Sequence, residues 1–239
     1  MIRLITLFAV IFGLSHNKNM ENLPDFKNIY QSEYKTATLV LRKNKPLINQ
    51  IGLEYYTDTK LLTAIGFPEL IRFQLLKDFF ETSGLEILYI NKGKEYADFS
   101  IGYYQMKPSF AEDLENYILS NNALPEHCKS ITTYLPKNDK EIRKERIARL
   151  KSFSWQLKYM ACFCVVMDTK TRNMPFQSFT KKLKYYATAY NTGFLKPDAE
   201  IRNSQLKSYF PYGPKFTDEQ YKYADVSEYF IVYTYSDIF

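Results

Sequence analysis

The chain is poor in the residues that build metal sites, disulfide frameworks and nucleotide cradles. Its 239 residues include two histidines, His16 and His127, and three cysteines, Cys128, Cys162 and Cys164. His16 lies at the edge of the N-terminal apolar run, so a zinc site built on His and Cys is not expected, nor is any other metal. Three cysteines cannot form a disulfide scaffold. Cys162 and Cys164 stand two apart in an apolar run and read as small buried residues, while a pairing of Cys128 with one of them stays open. A Ser-His-Asp triad would rest on His127, in the loop-like "LPEHCKS", a poor place for it. The eight glycines form neither GxGxxG nor GxxxxGK[ST], so nothing supports a nucleotide cofactor and none is expected. After residue 14 no apolar run is long enough to span a bilayer.

The start carries the one long apolar run. "MIRLITLFAVIFGLS" has Arg3, then apolar residues from Leu4 to Leu14, then small or polar ones. The run is short for a membrane span and reads as a secretory signal over residues 1–15, with Gly13 and Ser15 at the cleavage positions. The expected product is exported to the periplasm or cell envelope, and residues 16–239 are expected to form one domain.

Aromatics are abundant, with 21 Tyr and 18 Phe. Such residues fill cores, and tyrosine also lines partly wet clefts. The net charge of +6 favours polyanionic partners, but no tract concentrates it. The densest, "KEIRKERIARLK" (residues 140–151), is interrupted by Glu141 and Glu145 and reads as a solvated helix face. A nucleic-acid partner is not expected.

Periodicity predicts a mainly α protein. Residues 16–45 read as a surface arm. Residues 57–70 read as a helix capped by Asp58 or Thr59 and ending near Pro68. Residues 71–93 are helical in pattern, with Gly84 as a break. Ser109 and Glu112 form a capping-box pair that starts another helix. Residues 121–138 read as a loop, and a long helix is expected from Asp139 to about Met167. Residues 177–194 read as a helix closed by Gly193. A last helix is expected from a Thr217–Gln220 capping pair, with a strand as the alternative for the C-terminal aromatics.

Three fragments stand in order: "AIGFPEL", "SIGYYQMKPSF" and "AYNTGF". Ala64, Ile65 and Glu69 fit A-I-x-x-x-E. Ser100, Gly102, Gln105, Pro108 and Ala111 fit S-x-G-L-x-Q-x-x-P-x-x-A, with Tyr103 in the leucine position. Ala189, Tyr190, Asn191 and Gly193 fit A-Y-N-x-G. This set resembles the motifs of lytic transglycosylases in the lysozyme-like superfamily, and the resemblance covers residues 61–194. It implies a lysozyme-like helical domain with extra helices, acting on the glycan strands of peptidoglycan. It makes Glu69 the catalytic acid, gives Tyr190 the task of orienting it, and assigns substrate contacts to Ser100, Gly102, Tyr103, Gln105 and Asn191. Glu69 is flanked by Pro68 and Leu70, where the family has Glu-Ser. Glu81, in "ETSG", is therefore the rival acid. Glu69 is favoured for its A-I-x-x-x-E frame and its expected helix-end position.

The chemistry suits these residue types. A glycosidic leaving group needs a proton, and a carboxyl walled by aromatics such as Phe67, Phe73 and Tyr103 keeps one near neutral pH. Gly102 lets a ring approach the backbone or permits a positive φ. Gln105 offers both donors and an acceptor. A single carboxyl suffices for a transglycosylase. A hydrolytic lysozyme often uses a second, for which Asp98 is the candidate. A non-catalytic glycan-binding protein is the other class of reading, and a helical interaction domain carrying chance motifs is a third.

Overall fold

A computed structural model describes residues 23–76, 82–135 and 138–239. The expected signal segment, His16 and the rival acid Glu81 lie outside them. The described residues are mainly helical: α1 (Phe26–Lys43), α2 (Lys45–Glu54), α3 (Thr59–Leu76), α4 (Ser83–Lys92), α5 (Pro108–Ser120), α6 (Glu126–Lys129), α7 (Asp139–Lys151), α8 (Phe153–Lys170), α9 (Phe179–Thr192), α10 (Asp198–Ser204) and α11 (Tyr223–Tyr233). Among them, β pairing is limited to two isolated bridges, Ile101 with Met106 and Phe210 with Tyr221. No described helix is long and apolar enough to cross a membrane.

The architecture is built around α3. Every residue from Leu61 to Ile71 is buried, so this helix has no solvent face in its middle. It packs against α1, α2, α8, α9 and α11. Phe67 stacks on Phe230 of α11 at 4.2 Å and meets Tyr34 of α1 edge-on at 5.0 Å. Pro68 sits inside α3 and does not end it. A proline inside a helix removes one backbone hydrogen bond, but packing on all sides outweighs that loss here. Glu69 therefore lies well inside the helix and not at its end.

Four other expectations are corrected. Much of the expected surface arm is α1, which buries Phe26, Tyr30, Tyr34, Ala37 and Leu41 against the core. The long helix after Asp139 is two, α7 and α8, parted at Ser152, whose φ and ψ of −89° and 122° are extended. The capping box at Ser109 does not form. Helix α5 starts at Pro108, and the Asp98 carboxylate accepts from the Ser109 N–H at 3.0 Å and from its hydroxyl at 2.8 Å. The last helix starts at Tyr223, beyond the expected cap. Two helix boundaries come out as read. The Asp58 carboxylate accepts from the Lys60 N–H, and Gly193 (φ 109°) caps α9 by donating to the Ala189 carbonyl at 2.9 Å.

The basic tract on α7 is not a wholly solvated face. Arg146 is buried, and its Nη2 donates to Glu115 Oε2 at 2.7 Å. The Tyr134 and Tyr159 hydroxyls each donate to Glu115 Oε1 at 2.6 Å. Arg146 also donates to the Tyr89 hydroxyl at 2.7 Å, and that hydroxyl donates to Glu112 at 2.6 Å. This network ties α4, α5, α7 and α8 together. Cys128, Cys162 and Cys164 are buried free thiols.

Candidate active site

The central motif folds into a tight reversal. Ile101 and Met106 exchange both backbone hydrogen bonds, at 3.0 and 3.1 Å, and the four residues between them make the turn. Two of those residues take left-handed conformations, Gly102 at φ 67° and Gln105 at φ 48°. For Gln105 this is a strained position, of the kind that accumulates at functional sites. The turn is clamped from two sides. From α8, Gln156 Nε2 donates to the Ile101 carbonyl at 2.6 Å, and its Oε1 accepts from the Tyr104 N–H at 3.1 Å. From α9, the Tyr190 hydroxyl donates to the Tyr104 carbonyl at 2.7 Å. Gly66 of α3 lets the buried Tyr104 ring lie against the helix, since a Cβ there would meet the ring at 2.5 Å.

Three separated parts of the chain then meet in one cavity of about 390 Å³. Its lining includes Glu69 from α3, Ser100 and Gln105 from the turn segment, and Tyr190 and Asn191 from α9. Asp98 also lines it, although both of its carboxylate oxygens accept hydrogen bonds from Ser109. A second cavity of about 540 Å³ shares Arg72, Ser100, Gln105, Lys107 and Asn191, so the two form one open groove.

Glu69 is 3% exposed. Arg72, one helical turn on, donates through Nη1 to both carboxylate oxygens, at 2.7 and 2.9 Å. Arg72 is itself held. Its Nε donates to the Pro211 carbonyl at 3.0 Å, and its guanidinium lies 5.0 Å from the Phe210 ring centre. Its Nη2 lies 3.5 Å from Asn191 Oδ1. Burial pushes the Glu69 pKa above the ordinary carboxylate value, while the Arg72 charge and its hydrogen bonds oppose it. Burial likewise holds Tyr190 and Tyr223 protonated, reinforced by the Glu69 charge.

The other assigned residues divide. Gln105 Nε2 donates back to the Gly102 carbonyl at 2.8 Å, and its Oε1 is buried with no partner among the described residues. That leaves an acceptor at the groove for a ligand donor. Gly102 serves packing. A Cβ there would stand 2.6 Å from Gln156 Nε2 and 2.7 Å from the Leu150 carbonyl, so its bare backbone faces the junction of α7 and α8 and not a sugar. Tyr103 packs on Phe73 at 5.0 Å and Phe153 at 5.4 Å, away from both main cavities. Phe67 is a core residue and not a groove wall. The Tyr190 hydroxyl is committed to the turn, and the Tyr223 hydroxyl donates to the Ile65 carbonyl, one helical turn before Glu69, at 2.8 Å.

Sequence reasoning missed Arg72, Tyr223 and Gln156. Arg72 had a signal, its i+3 spacing from Glu69, which was hidden by ending the helix at Pro68. Comparison of the chain with family models, curated proteins and solved structures finds no match.

Proposed function

We propose that the protein is a lytic transglycosylase of the cell envelope, built on a lysozyme-like helical domain, that cleaves the β-1,4 bonds of peptidoglycan glycan strands. The observation that carries this reading is the shared cavity. Glu69, Ser100, Gln105, Tyr190 and Asn191 come from three motifs spread over more than a hundred residues, and they line one groove. An interaction domain with chance motifs gives no reason for that convergence.

In this reading Glu69 acts first as acid. Burial favours its protonated form, which protonates the leaving oxygen as positive charge builds at the sugar ring. The carboxylate then takes the proton of the muramoyl C6 hydroxyl as that oxygen closes a 1,6-anhydro ring. Gln105 Oε1 supplies an acceptor for an N-acetyl N–H or a hydroxyl. Tyr190 positions the turn that carries Gln105. Arg72 occupies both Glu69 carboxyl oxygens at rest, so the pair must open before the acid can donate. With both oxygens of Asp98 occupied by the start of α5, a second carboxylate for a hydrolytic lysozyme is less well provided.

The same Glu69–Arg72 pair favours a second reading, a groove that binds glycan without cutting it. Digestion of purified peptidoglycan with mass analysis of the products separates them. Anhydro-muropeptides are expected. Hydrated products would mean a lysozyme, and binding without products would mean a scaffold.

A further inference from the structure

A separate cavity of about 590 Å³ shares no lining residue with the groove. Tyr56 after α2, His127 of α6, and Val165, Asp168 and Arg172 at the end of α8 are among the residues that line it. The chain leaves α2 through a Schellman turn. The Thr57 N–H donates to the Gly52 carbonyl at 2.9 Å, and the Tyr56 N–H to the Leu53 carbonyl at 3.3 Å. Tyr56 holds the left-handed position of that turn, at φ 51°, where glycine is the usual residue. Its side chain is 87% exposed. The turn needs no side chain there and the core does not use this one, so neither accounts for a strained tyrosine at the cavity. The His127 ring centre lies 5.6 Å from that of Tyr56, and the buried Tyr55 ring meets it edge-on at 5.4 Å. His127 Nε2 is buried with no hydrogen-bond partner among the described residues. The Arg172 guanidinium also makes no hydrogen bond or ion pair among them. The nearby acids do not balance it. Asp168 Oδ1 takes Lys182 at 2.7 Å and the Tyr186 hydroxyl at 2.6 Å. Glu126, next to His127, pairs with Lys129 at 2.6 Å, and Glu54, next to Tyr55, does not line the cavity.

An unpaired buried ring nitrogen and an unpaired guanidinium in one cavity both call for a ligand oxygen. The planar fork of arginine matches a carboxylate, and one cation balances one negative charge. A phosphate monoester, with nearly two, would be left half balanced. Tyr56 and Val165 offer a flat ring and an aliphatic wall to the body of the ligand. We propose that this cavity is a second binding site, for a small aromatic carboxylate, whose carboxylate lies on Arg172 and His127 and whose ring packs on Tyr56. His127 serves in its Nε2–H tautomer, as a donor. The site is independent of the glycan reading of the groove.

The test is an NMR titration of the whole chain with four probes: 2-naphthoate, 2-naphthol, 2-naphthyl phosphate and acetate. The chain has two histidines, so the His127 ring signals can be followed singly. A saturable shift of those signals is expected with 2-naphthoate, at an affinity roughly tenfold or more above that of each other probe, which is the scale of one charge-assisted contact. Arg172→Gln, at an exposed position, is expected to bring 2-naphthoate down to the level of 2-naphthol. Tyr56→Gly is expected to weaken 2-naphthoate and 2-naphthol alike by roughly tenfold without lowering Tm, because glycine suits φ 51°. A merely structural tyrosine would lower Tm instead. Glu69→Gln is expected to leave binding unchanged. No saturable His127 shift, equal affinity for 2-naphthoate and 2-naphthol, or unaltered binding in Arg172→Gln or Tyr56→Gly overturns the inference. Tighter binding of the phosphate overturns the assignment to carboxylates, and loss of binding in Glu69→Gln would place the probe in the groove and overturn the second site.

Discussion

Replacing Arg72 by Gln probes the charge balance at the centre of the groove. Arg72 gives both of its Nη1 hydrogen bonds to a carboxylate that is 3% exposed. Removing it leaves Glu69 buried without a counter-charge, which costs about 3–5 kcal/mol where the carboxyl stays ionised. In a chain of this size that corresponds to a fall in Tm of about 6–20 °C. The cost depends on pH. Burial raises the folded-state pKa of Glu69 above the ordinary glutamate value of 4.5. The folded chain therefore keeps a proton that the unfolded chain releases. The stability this contributes is complete below pH 4.5 and fades as pH rises through the folded pKa. Without Arg72 the folded pKa climbs further, so stability keeps falling over a wider range of pH. Circular-dichroism melts between pH 4.5 and 8 should show a steeper decline for Arg72→Gln than for wild type, with the two curves converging at the acid end. In the double variant Glu69→Gln/Arg72→Gln the extra slope should vanish, and the double variant should be more stable at pH 8 than Arg72→Gln alone. Parallel slopes for wild type and Arg72→Gln, or simple additivity in the double variant, would refute the reasoning.

Other substitutions test the supports of the site. Gly102→Ala combines a left-handed backbone at φ 67° with contacts of 2.6 Å to Gln156 of α8 and 2.7 Å to the Leu150 carbonyl of α7, and should cost about 2–5 kcal/mol in chemical denaturation; an unchanged midpoint would count against that packing. Glu115→Gln removes the closer of the two carboxylates that pair with the buried Arg146, leaving Glu112 at 3.2 Å, and should cost up to about 3–5 kcal/mol, seen as a drop in Tm. A drop below 1 °C would mean the network contributes little. Burial raises the Cys162 and Cys164 thiols well above their ordinary pKa. All three cysteines are buried, so they should resist a thiol reagent in the folded chain and react together after denaturation. Fast labelling of the native protein would contradict this.

Elements with local punctuation were legible in the sequence. Helix α9 begins at Ser178, whose side chain accepts from the Lys181 N–H, and ends at Gly193, and both signals stand in the letters themselves. Misreadings came where tertiary packing overrides local preference. Pro68 is a strong stop signal, yet the helix runs through it because five other helices enclose α3. The polar letters of α1 hid buried tyrosines at positions 30 and 34, four apart, which fit a helix. Ser109 and Glu112 have the spacing of a capping box, but Asp98, eleven residues earlier, takes the cap, and Glu112 bonds Tyr89 and Arg146 instead.

The site divides in the same way. Motif positions named the residues that line the cavity, because Glu69, Gln105 and Asn191 each sit within a recognisable frame. Motifs could not say which glycine faces a ligand and which faces a neighbouring helix, since Gly102 looks alike in both settings until α8 is placed against it. Nor could they reveal Tyr223, which lines the groove and bonds the Ile65 carbonyl of α3 from a helix more than a hundred and fifty residues away. The cations of the groove are equally scattered, over α3, the turn segment and the flanks of α10, so no single tract announced them.

The central claim is that one buried carboxyl on α3 supplies the proton for glycan cleavage. Its most direct measurement is a product time course on purified peptidoglycan for wild type, Glu69→Gln and Glu81→Gln, with folding verified by circular dichroism. The account predicts anhydro-muropeptides from wild type and Glu81→Gln and none from Glu69→Gln. Products persisting in Glu69→Gln but lost in Glu81→Gln, or none from any of the three, would contradict it.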